Sequence, residues 1–541
     1  MGLWEALTSR TGQGALHAWG ESGFVETPWR DVAAEAEGIA ATLRRAGVRP
    51  GRNVAVLLTN TPATVPGLLG IWLAGGTIAS LPVLTPGMDR PTYARHIGSL
   101  LDKLDAPLVI ADDRVLETLP GSSRSRSWES LRGGGGGRVD ASPPGDDEPA
   151  YIQFSSGSTS TPKGCVLTPR AIAAQLELIL NFSGGRPGQE VVSSWLPLSH
   201  DMGMFGCLLL SWAYDYRLVL SSPERFLLSP RTWFGDMARY GATMTAGTST
   251  ALYLATRVQR SSPLPDRLKL RVCIAGAERV DAAILGQVAT TFGPYGLAPE
   301  ALMPAYGLAE ATLAVTASPA EREASVVAVD GIRLAAGEVV DAAPDDPAAV
   351  PIVSTGPPCQ GVTVSLDEPG RLSQIRVTSP SLASGYFADE ERTREVFTSD
   401  GLRTGDLGFL RDGELYVVGR EDDMLSVAGR NVYAREIEGA IDAHESVRKG
   451  CVILVDVPAG GRRELVMLAE PKRAGTDYDG FAEHAAKEVM DKAGVALARC
   501  LFLPKGTLPK TPSGKIQRFR CRQLLEQRAL APVAQIVLSD G

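Results

Sequence analysis

The chain has 541 residues, 44% hydrophobic and 21% charged, close to the average of soluble globular proteins, and this excludes wholesale disorder. Such a length exceeds what one hydrophobic core organises and predicts roughly three or four domains or subdomains. The net charge of −8, with no Lys/Arg block to offset it, argues against a nucleic-acid partner.

Residues 31–46 carry a helical pattern with Asp31 as the expected N-cap, and β-branched runs at 53–58 and 108–111 predict strands. Residues 65–84 are free of charge and about as long as a bilayer span. Pro66, Gly67, Gly70, Gly75, Gly76 and Pro82 interrupt the run, so it predicts a buried helix and a buried strand instead, with no membrane span. The strand–helix alternation predicts a parallel sheet flanked by helices. A glycine run at 133–137 and the Ser142-Pro-Pro-Gly-Asp-Asp-Glu148 stretch read as a flexible loop.

An apolar strand then ends abruptly in Tyr151-Ile-Gln-Phe-Ser-Ser-Gly-Ser-Thr-Ser-Thr-Pro-Lys-Gly164. Small residues let backbone N–H groups approach an anion, hydroxyls add donors and Lys163 adds charge, as a loop that holds nucleotide phosphates requires. The spacing is not that of a P-loop, because Pro162 stands at the second glycine and Gly164 follows the lysine.

A second α/β series follows: a helix at 170–182, strands at 190–194 and 217–220, helices at 230–239 and 251–260, a strand at 269–275 and a helix at 282–291. From about 350 to 418 the pattern becomes short strands with Gly/Pro turns, which predicts a small barrel-like sheet. Helices at 434–442 and 478–492 and strands at 451–455 and 465–469 predict a compact α+β tail. The expected division is a large domain, 1–419, of two parallel-sheet subdomains plus the barrel-like sheet, and a small mobile domain, 420–541. Arg420-Glu-Asp-Asp423 forms the charged joint between them.

Four further segments stand out. Trp195-Leu-Pro-Leu-Ser-His-Asp-Met-Gly203 places His200 and Asp201 after a strand end, and Pro304-Ala-Tyr-Gly-Leu-Ala-Glu-Ala-Thr312 runs from a strand end toward an expected helix. Leu402-Arg-Thr-Gly-Asp-Leu-Gly408 precedes the joint, and Leu508-Pro-Lys-Thr-Pro-Ser-Gly-Lys-Ile-Gln-Arg518 lies near the C-terminus. Taken singly, each is ordinary: His200 as a satisfied polar residue, Glu310 as a first-turn helix acid, Lys515 as a solvated lysine.

In order and together, with the 151–164 loop, these segments resemble the adenylate-forming enzyme superfamily, which includes acyl-CoA ligases and fatty acyl-AMP ligases. The resemblance covers the chain from about Trp29 to Leu525. Trp195–Gly203, Tyr306-Gly-Leu-Ala-Glu-Ala-Thr-Leu and Gly429-Arg-Asn-Val-Tyr resemble the fatty acyl-AMP ligase branch most.

The resemblance implies attack of a carboxylate on the α-phosphate of ATP, followed by transfer of the acyl group to a pantetheine thiol. It assigns Ser155, Ser156, Gly157, Ser158, Thr159 and Lys163 to the phosphates, with Thr312 as a further hydroxyl. Glu310 is expected to hold Mg²⁺ and Asp406 the ribose, with Arg420 beside it. Gly276, Ala277, Glu278, Tyr306 and Gly307 are expected around the adenine. Lys515 is expected to reach in from the small domain as the catalytic cation. His200 gates or lines the thiol tunnel, Asp422 is the hinge, and Gly429 faces the tunnel after the domain swing. The acid is expected among Met204, Ala246, Gly247, Thr248 and Ala305, mostly small residues that suit a bulky or long apolar acid.

Carrier-loading relatives in this superfamily carry an extra segment before the Arg-Thr-Gly-Asp motif. Here Glu395-Val-Phe-Thr-Ser-Asp-Gly-Leu-Arg-Thr-Gly405 leaves no room for it. CoA is therefore the favoured acceptor and the phosphopantetheine of an acyl carrier protein the alternative. Ser160, Ala434 and Arg435 depart mildly from the superfamily pattern, which leaves open an enzyme specialised for one half-reaction. A catalytically silent binder would not need Lys163, Glu310, Asp406, Arg420 and Lys515 together. Seven cysteines without a C-x-x-C and five scattered histidines argue against a zinc site and for reduced thiols. Met1-Gly-Leu-Trp-Glu-Ala lacks the basic and apolar regions of a signal peptide, and a cytoplasmic location is expected.

Overall fold

The strand–helix alternation builds two parallel sheets side by side. The computed structural model describes residues 2–9, 11–84, 90–119, 124–132, 142–154, 163–259, 263–320, 322–421, 424–427, 430–459, 462–473, 475, 477–510 and 516–538. One sheet has seven strands in the order Gly385–Tyr386, Gly164–Leu167, Tyr151–Phe154, Thr77–Leu81, Asn53–Leu57, Val109–Ala111, Ser125–Ser127. The five from Tyr151–Phe154 onward are mutually parallel, and the first two pair antiparallel at the edge.

The uncharged 65–84 run is a helix, Thr64–Leu73, buried along its whole length, followed by the strand Thr77–Leu81. Its glycines are close-packing positions: a Cβ at Gly67 would overlap the Trp128 ring and one at Gly70 the Ile39 side chain. Among the described residues no helix is long and apolar enough to cross a membrane.

The second sheet has eight strands in the order Ala314–Ala317, Leu302–Gly307, Val272–Ala275, Met244–Gly247, Val191–Ser194, Arg217–Leu220, Ala15–Gly20, Gly23–Pro28. The six inner strands are parallel and the two outer ones antiparallel. The Ala15–Pro28 hairpin was not foreseen. It joins the second sheet through Leu16 to Ala18, which pair with Leu218 to Leu220, a partnership some 200 residues apart that no local pattern reveals.

The hairpin also corrects the expected cap at Asp31. The helix is Trp29–Arg45, its N-cap is Pro28, and Asp31 is only a first-turn acid. Trp29 fixes that start: it is buried, stacks on Trp212 with ring centroids 5.1 Å apart, and its Nε1 donates to the Tyr216 carbonyl at 2.7 Å.

Beneath the second sheet, the Glu190 carboxylate is 1% exposed and accepts from Arg186 Nε and Arg271 Nη2, both at 2.7 Å, and from the Thr243 hydroxyl at 2.5 Å. Burial acts to raise its pKa, but these three donors together bring it down to about 2. A carboxylate with a depressed native pKa stabilises the fold above its unfolded pKa, and that contribution is lost as pH falls toward the native value. With both arginines partly in water, the contribution is about 1–3 kcal/mol. Wild type is expected to exceed Glu190→Gln by this amount at pH 7, and the gap between their denaturation curves is expected to close between about pH 4.5 and 2. A gap independent of pH would show that the charge contributes nothing.

The 350–418 region forms an antiparallel sheet of five strands: Thr363–Leu366, Ser373–Thr378, Phe397–Thr398, Gly401–Arg411 and Glu414–Arg420. The last strand runs through the expected boundary at 419 and ends at Arg420. After it come the hairpin Met424–Val427 with Arg430–Tyr433, the helix Ala434–Asp442, and a mixed four-stranded sheet carrying the helices Tyr478–Ala493 and Arg518–Glu526. The tail meets the rest of the chain where Lys492 Nζ donates to the Ala349 carbonyl at 3.2 Å. The Lys449 ammonium also sits 5.7 Å above the Tyr253 ring.

Candidate active site

The carboxyl ends of parallel strands are where an open α/β sheet presents its loops to a ligand. In the second sheet that rim carries Gly247, Gly276-Ala277-Glu278 and Ala305-Tyr306 from three neighbouring strands. The backbones close on one another there. Gly276 N donates to the Gly247 carbonyl at 3.1 Å, and a Cβ at Gly276 would stand 3.1 Å from the Ala305 carbonyl oxygen. Ala277 is held at φ 63, a conformation that costs a non-glycine residue about 1 kcal/mol or more. The Glu278 carboxylate accepts from Thr250 N at 2.6 Å, pinning this turn to the start of the helix Ser249–Gln259. Glu278 also lines a cleft of about 1300 Å³, together with Arg435, Lys449 and Lys505.

Asp406 lies beside Arg420, and Tyr306, expected around the adenine, joins them. Asp406 is 7% exposed and accepts from the Tyr306 hydroxyl at 2.6 Å and from Arg420 Nε at 3.0 Å. The Thr404-Gly405-Asp406 turn sets the angle: Thr404 Oγ1 donates to the Ile375 carbonyl at 2.8 Å and accepts from Asp406 N at 3.0 Å, with Gly405 at φ 71. Burial and the Asp406 carboxylate push the Tyr306 phenol well up, and Asp406 does the same to the Arg420 guanidinium. Asp406 thus presents a fixed carboxylate suited to a diol.

Glu310 and Lys163 also converge, through a residue the sequence reading missed. The Tyr386 hydroxyl donates to Glu310 Oε1 at 2.7 Å, and the Lys163 ammonium lies 5.7 Å from the Tyr386 ring centroid. Burial and the adjoining Glu310 carboxylate hold the phenol protonated. Tyr386 belongs to a two-residue strand that pairs with Gly164–Leu167, so the strand that follows Lys163 carries it into place. Its only local signal is the short Gly385-Tyr386-Phe387 run, too common to single out. Glu310 offers one carboxylate to a cation whose remaining ligands would be phosphate and water oxygens, a donor set that fits Mg²⁺.

Two expectations fail here. The helix expected after 304 does not form: the strand Leu302–Gly307 passes through one 3₁₀ turn, Ala309–Ala311, and returns as the antiparallel strand Ala314–Ala317. Gly307 permits the reversal, since any Cβ there would overlap the Leu313 carbonyl, and Leu308 N donates to that carbonyl at 2.9 Å. Thr312 is not turned toward phosphates. It is fully buried at φ 66, and its hydroxyl donates to the Ser381 carbonyl at 2.6 Å, tying the turn to the 379–383 segment.

The proposed acid-binding residues fall in one region. Met204 opens a π-helical stretch, Met204–Leu209, and shares a buried cluster with Ala246 and Met303. Thr248 accepts from Ala251 N at 3.1 Å, and Ala305 is half-buried. The small size of Gly247 does not leave open space, however: a Cβ there would overlap the Trp233 ring. Trp233 is 2% exposed, donates from Nε1 to Thr245 Oγ1 at 2.9 Å, and packs edge-on against Phe226, on which Trp195 stacks at 3.8 Å.

His200 follows the strand Val191–Ser194 and stands at the start of the helical run 201–213, with Asp201 against it. Ser155, Ser156, Gly157, Ser158, Thr159, Asp422, Gly429 and Lys515 lie outside the described residues.

A family model described as AMP-binding enzyme matches residues 8–387. A Mycobacterium tuberculosis protein named as a ligase, Rv1013, is 31% identical over 514 residues, spanning 91% of this chain and 94% of its own. JamA of Moorena producens, named a medium-chain-fatty-acid–[acyl-carrier-protein] ligase, is 32% identical over 402 residues, 70% of this chain and 67% of its own. A solved structure from work on fatty acyl-adenylate ligases of E. coli and L. pneumophila superimposes with a TM-score of 0.87 at 25% identity, covering 98% of each chain.

Proposed function

The chain belongs to the AMP-binding enzyme family and is a ligase of the fatty acyl-AMP and acyl-CoA group, and from that premise we propose that it joins an apolar carboxylic acid, activated as its acyl-adenylate, to the thiol of CoA. The convergence of Lys163, Tyr386 and Glu310 carries the first step. Two anions must meet there, and cations with fixed dipoles offset their repulsion. In this reading Lys163 and its loop hold the outer phosphates, and Asp406 with Arg420 orients the ribose. Glu310 would hold Mg²⁺, which supplies further charge neutralisation when bound. Lys515 approaches from the small domain, which then turns about Asp422 to admit the thiol.

The choice of acceptor rests on the connection before Asp406. Phe397 pairs directly with Leu402 and Thr398 with Gly401, so the chain enters the Arg403-Thr404-Gly405-Asp406 strand through a tight hairpin with no added segment to restrain a domain swing. The name of JamA favours a carrier protein instead. Mass spectrometry of products from ATP, a panel of acids, and either CoA or a holo carrier protein decides between them. Acyl-CoA with AMP is the expected result, and acylated carrier protein alone would overturn the assignment.

Trp233 beside Gly247 is expected to limit the acid's bulk. Trp233→Ala should destabilise the fold by about 3–5 kcal/mol and shift pyrophosphate release toward bulkier acids in the same panel. An unchanged acid profile in a folded variant would remove Trp233 from the pocket wall.

A further inference from the structure

Resting on the reading that Glu310 takes the divalent cation of the nucleotide, we infer that Tyr386 is its positioning residue: the hydroxyl claims Glu310 Oε1 and so reserves Oε2 for the cation. The donation to Oε1 spans 2.7 Å. A ligating carboxylate left to itself can rotate, or close on an ion with both oxygens, and a donor held against one oxygen opposes both movements. Tyr386 is 6% exposed. Burial, and then the Glu310 charge, keep the phenol neutral, so the hydroxyl stays a donor throughout the neutral range.

The backbone on both sides of Tyr386 is anchored to the two segments it serves. Ala383 N donates to the Glu310 carbonyl at 2.8 Å, and the Ser381 hydroxyl donates to the Ala311 carbonyl at 3.0 Å, which fastens this stretch to the turn bearing Glu310. Ser384 N donates to the Val166 carbonyl at 2.9 Å and Phe387 N to the Gly164 carbonyl at 2.7 Å, which fastens it to the strand after Lys163. Gly385 is held at φ 145, where a Cβ would come within 2.5 Å of the Thr393 side chain, and Thr393 Oγ1 accepts from Tyr386 N at 2.9 Å. The Phe397 ring meets Tyr386 edge to face, with centroids 5.5 Å apart. Backbone and ring are thus fixed without the hydroxyl. A phenylalanine would fill the same space, and the hydroxyl adds the bond to Glu310.

The consequence is a choice of ion. Mg²⁺ demands near-octahedral geometry, whereas the larger Ca²⁺ accepts a carboxylate through one oxygen or both. A Glu310 confined to one oxygen therefore suits Mg²⁺ better than Ca²⁺. The Lys163 ammonium lies 5.7 Å from the centroid of the same ring, so one side chain sets the cation's carboxylate and the phosphate-binding lysine relative to each other.

The test measures, by calorimetry, the affinity of the full-length enzyme for a non-hydrolysable ATP analogue under three conditions: excess EDTA, saturating Mg²⁺ and saturating Ca²⁺. Tyr386→Phe keeps the ring and removes only the hydroxyl. The gain in affinity that Mg²⁺ gives is expected to fall by about 10–100-fold in this variant. The gain from Ca²⁺ is expected to fall less, and affinity in EDTA to stay at the wild-type value. Glu310→Gln is expected to lose the Mg²⁺ gain by itself, and Tyr386→Phe added to it should lower the affinity no further. An equal loss in all three conditions, or no loss, overturns the inference and leaves Tyr386 a packing residue, as does a full additional loss in the double variant. If wild type binds the analogue but gains nothing from Mg²⁺, the assignment of the cation to Glu310 fails first, and the role of Tyr386 with it.

Discussion

Lys515→Ala is expected to lower acyl-adenylate formation by about 10²–10³, equivalent to roughly 2.7–4 kcal/mol of transition-state stabilisation. Transfer from preformed acyl-AMP should fall far less, because the second step needs the lysine withdrawn. The cause is electrostatic: a carboxylate approaching a phosphate gains most from a cation placed where charge develops, and little from one in bulk water. Lys515 lies outside the described residues, but both flanks of its segment are anchored. Lys510 bridges to Ile516, the Lys510 ammonium donates to the Gly450 carbonyl at 2.8 Å, and Gln517 N donates to the Pro509 carbonyl at 2.9 Å. Acid-dependent pyrophosphate exchange and single-turnover thiol transfer separate the two steps. Unchanged exchange in the variant would falsify the assignment.

The second large effect concerns Asp406. Asp406→Ala leaves the Tyr306 hydroxyl and the Arg420 guanidinium without their shared acceptor, and the ribose without a carboxylate. Breaking a buried ion pair by removing one partner costs about 3–5 kcal/mol, and the low end applies because Arg420 keeps 39% of its side chain exposed. A lowered melting temperature and a raised KM for ATP are both expected. Asp406→Asn separates them: its amide oxygen still accepts from Tyr306, so stability should recover in part. The lost charge-assisted bond should still weaken ATP by about 10–100-fold. If Asp406→Ala melts with wild type, the carboxylate does not hold the pair together as described.

Both arguments depend on how far the sequence could be read. Strand and helix positions within the α/β units were legible because hydrophobic period and length report local burial, as at Asn53–Leu57, Thr64–Leu73 and Arg217–Leu220. The expected partnership of Asp406 with Arg420 also holds, since a hairpin sets the two residues in register 14 apart. Tyr386 escaped notice because its role comes from pairing a two-residue strand with Gly164–Leu167, more than 200 positions earlier. Thr312 was misjudged for the opposite reason. A hydroxyl in a motif invites a phosphate, but the reversal at Gly307 turned it inward.

The residue order alone determined the family and the short connection before Asp406, because these are carried in contiguous motifs. Only the tertiary structure decided that the first strands join the second sheet, that Trp233 fills the space beside Gly247, and that Asn60 and Gln153 hold the backbone of Leu196, Leu198 and Ser199. Those outcomes depend on contacts between distant segments. Their energies are collected only when the whole core closes, and no window of local sequence contains them.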